Sequence, residues 1–265
     1  MQKGVYVVAR FFQPTFNGDF AVRYINHLRE SGHRVLFFTN NASHSQRFYY
    51  GKLARLGFDP QPGEIMSSGD VTAAFLTRNR AGKKVYLLGT PELWDEFQRA
   101  GVPMICDRDG VLTDPDAKAD IVVTSFDTTL TYEKLTNACT FIREGAEYLS
   151  THPDFNCPTE TGFIPDSGAI AAAVTASTGV TPTYFGKPYK ETIEMIAEYT
   201  KYSTDEMCIF GDRLYTDIAC GVNAGITSVF VLSGEGTLKD LEESEKKPTF
   251  VYKNVKEFLK DLKNN

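Results

Sequence analysis

The stretch Ile209-Phe210-Gly211-Asp212-Arg213-Leu214-Tyr215-Thr216-Asp217-Ile218 decides the fold. An apolar strand pattern ends there in Gly-Asp, and a helical pattern begins a few residues later. The same order of strand, turn signal and helix pattern recurs along most of the chain. This alternation predicts an α/β fold with a mostly parallel sheet and helices on both faces.

Short β-branched or aromatic runs mark the predicted strands. They are Val5–Phe12, Arg34–Thr39, Val85–Gly89, Asp120–Phe126, Thr183–Gly186, Met207–Gly211 and Thr227–Leu232. Several of these runs end in small or polar residues. Because ligands of parallel sheets bind beyond the carboxyl ends of the strands, we expect the chemistry at that edge.

Three polar segments at strand ends suit phosphate chemistry, which needs cations and hydrogen-bond donors around the phosphoryl oxygens. Thr39 and Asn40 follow one strand, Lys187 follows another, and Asp212 and Asp217 follow a third. Carboxylates at such a turn are typical oxygen ligands for Mg²⁺. Singly, Thr39 and Asp217 could be helix caps and Lys187 a surface lysine, but their joint occurrence at strand ends favours a functional origin.

Motifs spread over nearly the whole chain resemble those of the haloacid dehalogenase superfamily, in its 4-nitrophenylphosphatase-like branch. The segments that carry the resemblance are Ile25–Ser43, Asp120–Val123 with Phe126-Asp127 and Leu130–Tyr132, Thr151–Asp154, Phe185–Pro188 and Ile209–Ile218. The resemblance implies a Rossmann-like core over residues 1–82 and 183–265, with an α/β cap domain inserted over residues 83–182.

The resemblance also implies roles for single residues. Thr39 and Asn40 would hold the phosphoryl oxygens and Lys187 would neutralise the phosphate. Asp212 would ligate Mg²⁺, with Asp217 in support.

In the cap, the loop containing His152 and Asp154 would select the substrate, although His152 also fits a polar loop residue. Asp166 is predicted to cap the helix 168–177. Family members often form dimers through the cap, which leaves a homodimer open for this protein.

The opening strand departs from the family pattern, which ends that strand with Asp-x-Asp-Gly. No Asp or Glu occurs between Met1 and Gly18. Alignment from the strand places the missing pair at Val8 and Arg10, and alignment from the helix places it earlier. The first carboxylate is Asp19, which we predict to be a charge at a helix start. Loss of a covalent nucleophile costs on the order of 10⁶ in turnover, so we expect hydrolysis to be absent or very weak and Mg²⁺ binding to be weakened.

Two features could compensate for the missing carboxylates. Asp107-Arg108-Asp109-Gly110 spells the lost motif elsewhere and could be a relocated nucleophile or, with Asp114 and Asp116, a metal loop. We favour a polar loop there. At the end of the first strand, the Arg10 guanidinium either replaces Mg²⁺ beside Asp212 and Asp217 or points to solvent.

The composition indicates which classes of binding partner are disfavoured and which cellular compartment is expected. The net charge is −6, which disfavours broad contact with nucleic acid or anionic membranes. The five cysteines are scattered without a C-x-x-C pair, so we expect free thiols in the cytoplasm. We find neither a signal peptide nor an apolar run long enough to cross a bilayer.

Three functions stay open. The first is a phosphatase homologue that binds a small phosphorylated metabolite without hydrolysing it efficiently. The second is an active Mg²⁺-dependent phosphatase with a non-standard nucleophile, and the third is a non-catalytic interaction or scaffold protein. The retained Lys187 and Asp212 favour the first.

Overall fold

The computed structural model describes residues 4–9 and 19–264. Its strands are β1 Val5–Val8, β2 Arg34–Thr39, β3 Ile65–Ser67, β4 Val85–Leu88, β5 Ile121–Thr124, β6 Glu147–Ser150, β7 Asn156–Thr159, β8 Gly162–Pro165, β9 Thr183–Tyr184, β10 Met207–Gly211, β11 Thr227–Val231 and β12 Phe250–Tyr252. Its α-helices are α1 Asp19–Glu30, α2 Gln46–Arg55, α3 Ser68–Asn79, α4 Pro91–Arg99, α5 Tyr132–Arg143, α6 Ser167–Thr178, α7 Glu191–Thr200, α8 Ala219–Ala224, α9 Leu238–Glu243 and α10 Val255–Asn264.

These elements form two compact units. The first unit takes in the described residues of 1–39, 46–66 and 187–265, and the second unit takes in residues 40–45 and 67–186. The second unit is thus largely an insertion in the first. The sequence had put the domain ends at residues 82 and 182, and that assignment of a core and a cap stays a prediction.

The first unit is built on a six-stranded sheet with the order β12-β11-β10-β1-β2-β3. β1 pairs in parallel with both β2 and β10, and the β10–β11 and β11–β12 pairs are also parallel. The chain therefore builds the sheet outward on one side of β1 and later returns to build the other side. This reversal between β1 and β10 is a topological switch point, where open α/β sheets form ligand crevices.

Aromatic side chains fill the core of the first unit, where α1 and α10 pack on the sheet. Tyr24 lies 5.6 Å, centroid to centroid, from Phe210, and Phe210 lies 4.8 Å from Phe258, both edge to face. Such pairs add to the gain from burying their large apolar area. This packing fixes β1 and β10, whose carboxyl ends border the crevice.

The second unit has its own parallel sheet, β4-β5-β6-β9, and a separate antiparallel hairpin of β7 and β8. All four residues of β4 and of β5 are buried. Strands covered on both faces read as continuous apolar runs, which explains why the sequence showed them clearly.

The predicted fold class is confirmed, as are the strands on which it was based. β2 and β10 have the predicted bounds, β4, β5, β9 and β11 end one or two residues early, and β5 also begins one residue late. For Val5–Phe12 the structure confirms Val5–Val8, because residues 10–12 lie outside the described part. The sequence missed β3, β6, β7, β8 and β12.

In the described residues, none of the helices combines the length and the apolar character that crossing a lipid bilayer requires.

Candidate functional site

The carboxyl edge of the first unit's sheet brings three chain segments together. Ala9 continues β1 and donates its N–H to the carbonyl of Phe210 in β10, at 2.9 Å. On the other side of β1, β2 ends at Thr39. The end of the opening strand is thus flanked by the two segments that carry Thr39 and Asp212.

Lys187 lies buried at this edge. Its Nζ donates to Asp217 Oδ1 at 2.8 Å and to the carbonyl of Ala9 at 2.9 Å. The same Nζ lies 5.7 Å from the centroid of the Phe38 ring. A buried ammonium needs such partners, because an unpaired buried charge is strongly unfavourable. The lysine therefore reaches the end of β1, and its position is fixed.

Asp217 sits on a π-helical turn, Leu214–Ile218, and is buried. Its Oδ2 accepts a hydrogen bond from the Arg213 N–H at 3.3 Å, so both carboxylate oxygens have protein donors. A Cβ on Gly211 would lie 2.1 Å from the Cβ of Asp217. Only glycine at position 211 therefore allows the carboxylate to reach Lys187.

Asp212 is held by a loop that follows β11. Its Oδ2 accepts from the Glu235 N–H at 2.7 Å, and its carbonyl accepts from the Gly236 N–H at 2.9 Å. A Cβ on Gly234 would lie 1.9 Å from Asp212 Oδ2. This loop was not predicted, although the Gly-Glu-Gly run after a strand was a signal for close backbone approach.

The Glu235 side chain ties this loop to the turn after Asp212. Its Oε2 accepts from Arg213 Nε at 2.8 Å, and its Oε1 accepts from the Tyr215 hydroxyl at 3.1 Å. These bonds restrain the loop whose backbone holds Asp212.

The two acidic residues that the sequence predicted as Mg²⁺ ligands differ in their hydrogen-bond partners. Mg²⁺ is usually held by one or two carboxylates together with substrate phosphate. The Asp217 oxygens accept hydrogen bonds from Lys187 and Arg213, and Asp212 Oδ2 accepts one from a backbone N–H. Asp212 and Asp217 as metal ligands stay a prediction, and the contacts give Asp217 a role toward the lysine.

The predicted nucleophile region is only partly described. Val8 is buried and belongs to the apolar cluster of the first unit. Arg10, and with it the hypothesis that a guanidinium balances the acidic pair, lies outside the described residues. Asp19 is the first residue of α1, as expected for a helix-start charge.

Thr39 and Asn40 fall on either side of the division between the units. Thr39 is the last residue of β2, and α2 begins only at Gln46, so Thr39 is not the N-cap of that helix. Asn40 belongs to the second unit, where its Nδ2 donates to Asp154 Oδ2 at 3.2 Å. The phosphate-binding roles of Thr39, Asn40 and Lys187 stay predictions.

His152 is fully buried in the second unit. Its Nε2 lies 2.8 Å from Asp166 Oδ1, which also accepts from the Ser167 N–H and so caps α6. The prediction that Asp166 caps this helix is confirmed. The specificity role predicted for His152 and Asp154 stays a prediction, but the His152 side chain contacts protein on both ring nitrogens.

The loop Asp107–Gly110 lies in the second unit, on the surface. Asp107 Oδ1 accepts from the N–H groups of Asp109 and Val111, both at 2.9 Å. In the same way, Asp114 Oδ1 accepts from the Asp116 N–H at 3.0 Å. Carboxylates that bond their own following backbone are typical of turns, which supports the loop interpretation.

A buried ion pair in the second unit was not predicted. Lys134 Nζ donates to Asp127 Oδ2 at 2.8 Å, to Thr129 Oγ1 at 2.9 Å and to the Gly89 carbonyl at 3.1 Å. Helical periodicity in α5 gave no sign that a lysine would point inward.

Comparisons with known proteins agree with this architecture. The family model described as haloacid dehalogenase-like hydrolase matches residues 19–103, and a second model, described as HAD-hydrolase-like, matches residues 184–258. An acid sugar phosphatase of Staphylococcus aureus is 33% identical over 92% of this chain and 91% of its own length. An acid sugar phosphatase of Staphylococcus haemolyticus is 31% identical over 93% of this chain and 90% of its own length.

A crystal structure of a 4-nitrophenylphosphatase from Thermotoga maritima superposes with a TM-score of 0.86, at 38% identity and 97% coverage of both chains. Sequence identity at this level over almost the full length of each protein shows that they share a family as well as a fold. The chain therefore belongs to the haloacid dehalogenase-like hydrolases, in their 4-nitrophenylphosphatase-like branch.

Proposed function

We propose that this protein binds a small phosphorylated metabolite through Thr39, Asn40 and Lys187, and that it hydrolyses that ligand very weakly or not at all. The names of the relatives point to sugar phosphates as the class of ligand. The binding part of the proposal rests on retained residues, and the loss of hydrolysis rests on a missing one.

One observation supports the proposal above all. Lys187 Nζ is hydrogen-bonded to the carbonyl of Ala9, so the end of β1 lies within reach of the lysine. In the family pattern, that strand end carries the attacking aspartate. Here no Asp or Glu precedes Asp19. In this proposal Lys187 supplies the cation for the phosphate, and the sequence offers no carboxylate before Asp19 to attack phosphorus.

The loss of rate expected without a nucleophile indicates how weak turnover should be. Removal of a covalent nucleophile costs on the order of 10⁶ in rate, or roughly 8 kcal/mol of barrier. A change of this size takes an ordinary phosphatase below routine detection. Phosphate binding needs no nucleophile, since a fixed ammonium and nearby hydrogen-bond donors are sufficient.

Magnesium has a reduced role in this proposal. Asp212 is the residue best placed to hold the ion, whereas Asp217 is engaged with Lys187. When bound, Mg²⁺ would neutralise phosphate charge. In its absence Lys187 supplies that charge, and the Glu235 and Gly236 N–H groups keep Asp212 in place.

The test combines binding and turnover. Isothermal titration with inorganic phosphate and with a hexose phosphate is run on the wild type, on Lys187→Gln and on Lys190→Gln. Lys190 is a matched control, because it lies only three residues after Lys187. Its side chain is exposed and pairs with Glu194. We expect binding in the wild type and in Lys190→Gln, and at least tenfold weaker binding in Lys187→Gln, about 1.4 kcal/mol or more.

Hydrolysis of 4-nitrophenyl phosphate with Mg²⁺ is measured on the same samples. Turnover at rates usual for phosphatases that disappears in Lys187→Gln would show an active enzyme with another nucleophile. Absence of both binding and turnover in the wild type would leave the scaffold interpretation.

A further inference from the structure

His152 is the centre of a hydrogen-bonded chain that ends on Asn40. All its members lie in the second unit. The Nδ1 atom of His152 lies 3.0 Å from Thr151 Oγ1 and 3.3 Å from Ser68 Oγ. Ser68 Oγ donates to the carbonyl of Asn40, at 2.5 Å. The chain thus leads from a buried histidine to the backbone of a proposed phosphate-binding residue.

Counting hydrogens identifies a protonation state in which the contacts of His152 with Ser68 and Asp166 are both hydrogen bonds. A hydroxyl has one hydrogen, and Ser68 gives it to the Asn40 carbonyl, which can only accept. The contact between Ser68 and Nδ1 is then a hydrogen bond only if Nδ1 carries a proton. On the other side of the ring, Asp166 Oδ1 accepts from the Ser167 N–H and lies 2.8 Å from His152 Nε2, which donates to it when it carries a proton. The imidazolium form of His152, with both ring nitrogens as donors, turns the contacts with Ser68 and Asp166 into hydrogen bonds, and it is the form used in the proposal below.

Asn40 is fixed from two sides by this arrangement. Ser68 holds its carbonyl, and Asp154 Oδ2 accepts from its Nδ2 at 3.2 Å. Gly186 closes the space around it, since a Cβ there would lie 2.8 Å from Asn40 Oδ1 and 2.9 Å from the His152 Cβ. The direction of the Asn40 peptide is thus set by residues far away in the sequence.

We propose that His152 and Ser68 are positioning residues for phosphate binding, acting through the Asn40 backbone rather than by touching the ligand. The imidazolium donates to Ser68, and Ser68 donates to Asn40, which keeps the segment after β2 in its binding geometry. This inference rests on the proposed function, because it assigns the cause of affinity at the same site.

The test is a double-mutant cycle with inorganic phosphate as the probe. Ser68→Ala removes one hydroxyl, and we expect about fivefold weaker phosphate binding, the worth of one ordinary hydrogen bond. His152→Gln should weaken binding by a similar or larger factor. The double variant should bind no more weakly than the weaker single variant, because both changes break the same chain.

Thr77→Val is the matched control. It removes a hydroxyl from the same helix as Ser68, but Thr77 Oγ1 bonds only helix carbonyls, those of Ala73 and Ala74. We expect its affinity for phosphate to equal that of the wild type. A role limited to folding would lower the melting temperature of Ser68→Ala and leave its phosphate affinity unchanged.

A measurement without phosphate tests the hydrogen-bonded chain of His152, Ser68 and Asn40 directly. In ¹⁵N-histidine NMR spectra at pH 7, we expect both nitrogens of His152 to be protonated, and Ser68→Ala should change the Nδ1 signal. A bare Nδ1 would overturn the inference, as would independent, additive effects of Ser68→Ala and His152→Gln. Wild-type protein that fails to bind phosphate would overturn the proposed function and this inference together, whereas binding that Ser68→Ala leaves intact would overturn this inference alone.

Discussion

Two glycines stand directly against the two carboxylates of the first unit's site. Gly211 faces Asp217, and Gly234 faces Asp212. Neither position has a positive φ, so each glycine is required for space and not for backbone conformation.

We expect Gly234→Ala to displace Asp212 and to destabilise the protein by about 1–3 kcal/mol, the usual cost of overpacking. Gly51→Ala is the control, since its new Cβ would meet only the end of the Arg55 side chain at 3.6 Å in α2. Alanine in that helix should raise stability by about 0.5–1 kcal/mol. Urea unfolding checks both values, and equal midpoints for the two variants would contradict the steric argument.

The Lys187–Asp217 pair gives a second prediction at this scale. Both side chains are buried, at 7% and 1% exposure. Lys187→Met leaves the Asp217 carboxylate without its charge partner and should cost about 3–5 kcal/mol. Adding Asp217→Asn removes the orphaned charge, so the double variant should recover much of the loss in chemical denaturation. A double variant less stable than Lys187→Met would show that the pair is not coupled in this way.

Sequence motifs predicted the residues of the candidate site, but not the groups that bond them. Lys187, Asp212 and Asp217 were predicted at one sheet edge, and two of them meet there. Motif spacing could not show that Asp217 serves the lysine, because that contact depends on a turn geometry that only Gly211 allows. Nor could it show that Glu235 and Gly236 hold Asp212 from more than twenty residues away.

At the scale of elements, predicted and missed strands differ in their surroundings. β2, β5 and β10 are buried on both faces, so their apolar runs are continuous. The hairpin strands β7 and β8 are mostly exposed and each contains a proline, which usually argues against a strand. β3 has only three residues and leads directly into the capping box of α3 at Ser67. Local patterns cannot reveal strands that tertiary pairing alone defines.

His33 joins two elements at their starts. It lies just before β2, and its Nδ1 accepts from the Gly4 N–H before β1, at 3.2 Å. Burial is the main cause that lowers the pKa of His33 below its usual value. The folded state therefore favours the neutral ring, which alone can accept this bond.

The sign of the pH effect follows from that shift. As the pH falls below about 6.5, the unfolded state takes up the proton first, so stability decreases on acidification through this window. His33→Asn should flatten the dependence of the unfolding free energy on pH between about 5 and 7. A slope in His33→Asn as steep as in the wild type would assign the effect to other groups.

For the whole molecule, strand–helix alternation predicted the α/β class, because it is a global pattern, and the family resemblance implied a core interrupted by an inserted domain. The sequence could not place the division of the compact units after Met66 and Gly186, since composition hardly changes there. A local sequence pattern also does not show where its residues lie in the fold. The residues Asp107–Gly110 match a catalytic motif but lie in a surface turn.

Removal of metal tests the charge balance of the whole site. If Lys187 supplies the cation, phosphate affinity should change by less than about twofold between excess EDTA and millimolar Mg²⁺, whereas a site that rests on the ion would lose most of its affinity. Calorimetric titration in both buffers measures this. A loss of tenfold or more in EDTA would show that Asp212 holds a metal on which binding depends.

Two lysines that are buried in the described part of the chain have a practical consequence for chemical labelling. Lys134 and Lys187 have side-chain exposures of 2% and 7%, while Lys83 and Lys239 reach 54% and 80%. An amine-acylating reagent should modify the exposed lysines within minutes and reach the buried two only when the surrounding structure opens. Lys134 belongs to the second unit and Lys187 to the first. Mass spectrometry of these two sites would therefore time the opening of each unit separately, in a single sample and without any mutation.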